Sequence, residues 1–156
     1  MAMPKRATQV DEEKACIFCQ IARKKAPAYI IDENDEVIVF LSLENHPLVA
    51  PKEHIPDIYA LSDDTAARVM EETIRIAKAV KKALQCDGIY LTQSNEPAAG
   101  QTVFHFHFHV YPCWEGQEVK AIARFAKSVT DRENVTREMK TAMMEDIQRA
   151  LIADGP

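Results

Sequence analysis

The stretch from Val103 to Pro112 reads VFHFHFHVYP and sets His105, His107 and His109 on alternate positions. A run of β-branched and aromatic residues closed by a proline reads as a strand. Strand side chains alternate faces, so the three imidazoles share one face and Phe104, Phe106, Phe108 and Val110 the other. The phenylalanine face predicts core. Packing alone does not call for the histidine face, because imidazole is only weakly apolar and titrates near neutrality. One histidine on a strand is ordinarily a hydrogen-bonded structural residue; three in register point to a metal site or a catalytic cluster. At about 3.3 Å per residue the outer pair stands roughly 13 Å apart, whereas metal–nitrogen bonds are about 2 Å. Neighbouring members can share an ion, but all three cannot without a bend. At least one imidazole therefore has a task other than holding that metal.

The rest of the chain bounds what the cluster can serve. Its 156 residues suit one domain with a sizeable core, and 47% hydrophobic with 28% charged residues is ordinary for a soluble globular protein. A net charge of −5 argues against a nucleic-acid polymer as the main partner, though not against a nucleotide. The opening MAMPKRATQVDEEK lacks the apolar run of a signal peptide, and no stretch is long enough to cross a bilayer. The expectation is a cytoplasmic protein without membrane attachment. Four cysteines in such a compartment suggest thiols or metal ligands: Cys16 and Cys19 form a CxxC pair, and Cys86 and Cys113 stand alone as structural thiols.

Along the chain, residues 1–14 are polar and read as a flexible terminus, followed by a short helical segment, CIFCQIARKK, that stops before Pro27. AYII and VIVFL read as strands joined by the turn DENDE, and PLVAP as a third strand framed by His46 and His54. Ser62 is an N-cap ahead of Asp63 and Asp64. Val69, Thr73, Ile76, Val80 and Leu84 then repeat at helical spacing, with Asp87-Gly88 as the stop. IYLTQS predicts a strand, NEPAAGQ a loop, and TVFHFHFHVYP the last core strand. Met139, Met143, Ile147 and Leu151 mark a helix over about 137–152. Residues 15–126 are expected to form one domain and 127–156 a helical extension of it.

The segment AAGQTVFHFHFHVYP closely resembles the signature of the histidine triad (HIT) family: a Gly-Gln-Ser/Thr step, then three histidines alternating with apolar residues. HPLVAPKEHI resembles that family's second region, and CIFCQI the N-terminus of its bacterial branch, so the resemblance spans roughly residues 16 to 126. It implies an α+β fold: about five antiparallel strands, one long helix, a short N-terminal helix and a C-terminal helix, commonly paired as a homodimer. It also implies cleavage of nucleotide substrates at the α-phosphorus through a covalent nucleotidyl-histidine. The middle histidine, His107, would be the nucleophile, its second ring nitrogen holding a proton on a backbone carbonyl. His109 would contact the phosphate and help protonate the leaving group, and His46 would close the cluster. Asn95, Gln101 and Thr102 would donate to phosphate oxygens, and Gly100 would let the backbone approach closely. In relatives with an N-terminal CxxC, a structural zinc is held by residues matching Cys16, Cys19, His54 and His105; two thiolates and two imidazoles suit a closed tetrahedral Zn²⁺ site. CxxC by itself would equally describe a redox pair or two plain thiols.

Two departures bear on the substrate. Many relatives carry a ribose-binding aspartate after the second strand, whereas FLSLENH has none and offers Ser42 or Glu44; many carry an arginine after the triad's proline, where this chain has Cys113. The favoured substrates are nucleoside phosphoramidates and related AMP conjugates, with dinucleoside polyphosphates as the second class. Two rivals from other classes are a non-catalytic metal-binding protein and a nucleotide-binding module without turnover.

Overall fold

A computed structural model describes residues 9–116, 134–153 and 155. The expected flexible terminus lies partly outside them, as does the expected boundary between residues 126 and 127. Residues Gln9–Ala15 form a short helix, α1, where a flexible segment was expected, and Ile17–Ala22 form α2. Strands β1 (Ile30–Glu33), β2 (Val37–Leu41), β3 (Pro47–Pro51), β4 (Gly88–Thr92) and β5 (Phe108–Cys113) make one antiparallel sheet in the order β1-β2-β3-β5-β4. Helix α3 (Asp63–Leu84) lies between β3 and β4, and α4 (Arg137–Ala153) follows β5. The α+β expectation holds.

Sheet alternation splits the core in two. Val37, Val39 and Leu41 face one way with Val49, Phe106 and Val110, where Val69, Ile76 and Val80 of α3 and Ile147 and Ala150 of α4 cover them. Ile38, Phe40, Leu48 and Ala50 face the other way, under Phe18 and Ile21 of α2. Both faces of β2 and β3 are therefore buried, which is why VIVFL and PLVAP are apolar runs without polar alternation. Gln148 donates to the carbonyls of Ile30 and Ile31 at the irregular register of β1, tying α4 to that edge. Among the described residues no helix is long and apolar enough to cross a membrane.

Helix α3 starts as expected: the Ser62 hydroxyl accepts from the Thr65 amide, with Asp63 and Asp64 in the first turn. It stops earlier than the sequence suggests. Gln85 takes the left-handed turn at φ 50°, and Gly88 instead opens β4. An exposed non-glycine residue in that region is strained. Gln85→Gly is expected to stabilise by up to about 1 kcal/mol, raising Tm by roughly 2–4 °C. An unchanged or lower Tm in a thermal melt would count against strain at this cap.

The last strand is the main difference from the sequence reading. Regular pairing begins at Phe108, where β5 meets β3 through Leu48↔His109 and Val49↔Phe108. Residues 103–105 bend instead, with the His105 amide on the Val103 carbonyl (2.9 Å) and the Phe106 amide on the Ile55 carbonyl (2.6 Å). The expected apolar row breaks accordingly. Phe104 is half exposed, while Phe106 and Val110 are core.

Candidate functional site

The bend sends His105 away from the other two histidines and toward α2. Its Nδ1 lies 3.4 Å from the Cys16 sulfur and 3.5 Å from that of Cys19, and the Cys19 sulfur is 3.3 Å from His54 Nδ1. The four ligand atoms all lie within 4.8 Å of one another. Donors around one tetrahedral divalent ion, at about 2.0–2.3 Å each, would be roughly 3.3–3.8 Å apart, so this set could hold a metal ion with little adjustment. His105 Nε2 sits 2.7 Å from the Pro51 carbonyl, which takes the ring proton there and turns the Nδ1 lone pair to the cysteines. Burial, and next the neighbouring Cys16, push the Cys19 thiol up to about 12. A bound cation reverses that preference, because coordination needs the thiolate.

His107 and His109 point elsewhere. His107 Nδ1 lies 2.6 Å from the His105 carbonyl oxygen, which can only accept, so Nδ1 carries the proton and Nε2 is bare. A second chain of contacts assigns His109. The Ser42 hydroxyl oxygen accepts from the amides of Glu44 (3.1 Å) and His46 (3.2 Å), which leaves its hydrogen for His46 Nδ1 at 2.9 Å. His46 Nε2–H then donates to His109 Nδ1 at 2.8 Å, and His109 keeps its proton on Nε2. Tyr111 packs against His46 with ring centres 4.0 Å apart and planes tilted by 31°. Burial lowers the pKa of all three imidazoles; for His109 burial and then His107 bring it to about 3, and for His46 the charges of His109 and His107 add to the effect. Near pH 7 they are neutral, one with a bare nitrogen and its neighbour with an N–H.

Both rings open onto a cavity of about 1260 Å³. Ile17, Phe18, Ile21, Phe40 and Leu48 give it an apolar wall, and Phe18 also packs edge-on against His107 at 5.0 Å. Ser42, Gly100, Gln101 and Thr102 line it as well. Gly100 adopts a left-handed turn at φ 89°, capping the short turn Pro97–Ala99, a conformation glycine takes at no steric cost. His46 is buried behind His109 and reaches the cavity only through it.

Two expected phosphate donors are occupied otherwise. Gln101 donates to the Pro56 and Val103 carbonyls and accepts from the Glu96 amide, so its amide braces the loop. Asn95 is not in the cavity wall; it accepts from the Ile58 amide and exchanges hydrogen bonds with Gln93. Ser42 likewise spends its hydroxyl on His46. The sequence reading missed Arg137, Lys140 and Thr141, which bring the first turn of α4 into the cavity. Their only signal was an i, i+3, i+4 spacing shared with any solvated helix face.

A five-stranded α+β protein with a two-thiol, two-imidazole cluster beside a second pair of imidazoles on a cavity is a narrow class. The HIT domain family profile matches residues 23–115, and the chain belongs to that family. It is 39% identical over 103 residues to an uncharacterised HIT-like protein of Saccharolobus solfataricus, covering 64% of this chain and 74% of that one. A hypothetical histidine triad nucleotide-binding protein from Sulfolobus tokodaii superposes with a TM-score of 0.77 at 26% identity, over 88% of this chain and 93% of the other. A Zn-bound histidine triad family protein from Mycobacterium smegmatis gives 0.74 at 28%, over 90% and 96%. A HIT family hydrolase from Legionella pneumophila gives 0.55 at 30%, over 66% and 94%.

Proposed function

We propose that the protein hydrolyses, or transfers the nucleotidyl group of, a nucleoside phosphoramidate or related AMP conjugate, by attack at the α-phosphorus through a covalent nucleotidyl-histidine. Family membership and the nucleotide-binding and hydrolase neighbours support a function of this type. The observation that carries the finer reading is the 2.6 Å bond from His107 Nδ1 to the His105 carbonyl, which leaves Nε2 as a bare lone pair on a ring that lines the cavity.

In this reading His107 Nε2 forms a bond to phosphorus as the bond from phosphorus to the leaving group breaks. With substrate bound, the anionic phosphate favours a proton on His109 taken up from solvent, and the imidazolium Nε2–H passes to the departing nitrogen or oxygen, leaving the neutral ring. Water then attacks the phosphorus on His107 and returns a proton to His109, releasing AMP and restoring both rings. The attacking and protonating rings have centres 4.8 Å apart, close enough to serve one scissile bond. Ser42 and His46 keep the proton on the outer nitrogen of His109. Zinc is the metal we assign to Cys16, Cys19, His54 and His105, supported by the donor chemistry and the Zn-bound relative. Bound there, it would supply a fixed anchor for His105, whose carbonyl orients His107. The homodimer implied by the family resemblance belongs to the same proposal, and analytical ultracentrifugation reads it directly.

The test is AMP release from adenosine 5′-phosphoramidate by the purified chain, followed chromatographically. Release at a rate far above the uncatalysed reaction is the expected result. No release from it or from diadenosine polyphosphates, with nucleotide still bound, would make the protein a binding module.

A further inference from the structure

We propose that Arg137 and Lys140 form a second anion subsite in the cavity, selecting nucleotides that carry a phosphoryl group in addition to the one facing His107. The inference rests on the nucleotide reading above and narrows its substrate class. Among the described residues lining the cavity, the formally charged ones are Glu44, Arg137 and Lys140, so the wall is net cationic on a chain whose net charge is −5. His107 and His109 add no positive charge while neutral. Among the described residues, anion recognition by a charged side chain in this space therefore falls to the first turn of α4.

Lys140 is held there. Its Nζ donates to the Ser42 carbonyl at 3.1 Å and stands 5.7 Å above the Tyr29 ring. The carbonyl takes one of three N–H donors, and neither contact neutralises the charge. Burial pulls the ammonium below its ordinary value, with Glu44 acting in the opposite direction. A cation kept in a partly desolvated corner is one that a phosphate would compensate. Arg137 lies one turn earlier on the same helix face, exposed at the rim, and among the described residues its guanidinium pairs with no carboxylate. A planar fork at the rim and a point charge inside suit one phosphoryl group held from two sides. Lys140 also grips Ser42, whose hydroxyl holds His46 and through it His109, and it lines the same cavity as His107 and His109.

The second phosphoryl group could sit on the leaving-group side, as in a polyphosphate, or on the ribose. Calorimetric titration with AMP, α,β-methylene-ADP and adenosine 3′,5′-bisphosphate separates the two, since none needs turnover to be read. At least one bisphosphate is expected to bind about 10-fold more tightly than AMP, the gain typical of added charge-assisted hydrogen bonds. The tighter one identifies the side. In the double variant Arg137→Met, Lys140→Met that ratio should fall to near one, while Lys140→Arg keeps it. The ratio is taken within each variant, so a general loss of folded protein cancels. Equal binding of all three by the parent chain, or a preference surviving in the double variant, overturns the subsite. AMP failing to bind at all would remove the nucleotide reading and the subsite with it, whereas AMP binding without preference removes the subsite alone.

Discussion

His107→Ala should lower AMP release from adenosine 5′-phosphoramidate by roughly 10⁴-fold or more, the loss expected when a nucleophile is removed and the binding site is left in place. The size follows from the proton inventory of the site. His107 Nδ1 is committed to the His105 carbonyl, which leaves its Nε2 bare. His46 has both nitrogens engaged, by Ser42 and by His109, and His109 accepts on Nδ1 and carries its proton on the other nitrogen. Of the two imidazoles lining the cavity, His107 alone presents a bare nitrogen. His109→Ala removes a proton donor and not the attacking atom, so its loss should be smaller, about 10²–10⁴-fold, and least for a leaving group that departs without protonation. Rapid-quench assays read both effects, and the parent should yield an acid-labile nucleotidyl adduct that the His107 variant does not form. A His107 variant within tenfold of the parent would sink the assignment.

What the sequence discloses depends on whether a signal is local. VIVFL and PLVAP become β2 and β3 at their expected bounds because each is a short apolar run closed by turn residues or proline, and Ser62 caps α3 for an equally local reason. The bend at residues 103–105 is different. Alternation of histidine with phenylalanine is also what a straight strand would show, and the contact that draws the chain aside, from Phe106 to Ile55, spans the fold. The resemblance to relatives carried Cys16, Cys19, His54 and His105 together across up to 89 positions, a gathering that spacing alone left open. It also carried Gln101 and Asn95 as phosphate donors, and their loop hydrogen bonds could not be read from residue type. Arg137 and Lys140 stayed invisible because a cation lining a cavity and a cation in solvent have the same local sequence.

Removing the metal should cost the chain more than a local loosening. The two thiols and two imidazoles, with ligand atoms within 4.8 Å of one another, come from the start of α2, the segment after β3 and the bend before β5, so an ion bound there would tie three pieces of chain together. Without a cation, burial and Cys16 hold the Cys19 thiol at about 12, and burial, with the charge of His54 next among the lowering effects, takes His105 down to about 4; the sulfur–imidazole contacts around Cys19 are then weak S–H ones. An ion present about a thousandfold above its dissociation constant adds about 4 kcal/mol to stability, which for a domain of this size corresponds to a Tm roughly 10 °C higher. Purified chain should therefore carry about one zinc per molecule by elemental analysis, and chelation should lower Tm by that amount and restore it on re-addition. Cys19→Ala should be worse than Cys16→Ala: Cys19 is fully buried and touches both imidazoles, whereas Cys16 is only partly buried and touches His105. Loss of the ion should also slow AMP release, because the carbonyl that aligns His107 belongs to the residue the metal would pin. A metal-free chain with unchanged melting would leave the cluster as four ordinary side chains and withdraw the positioning role from His105.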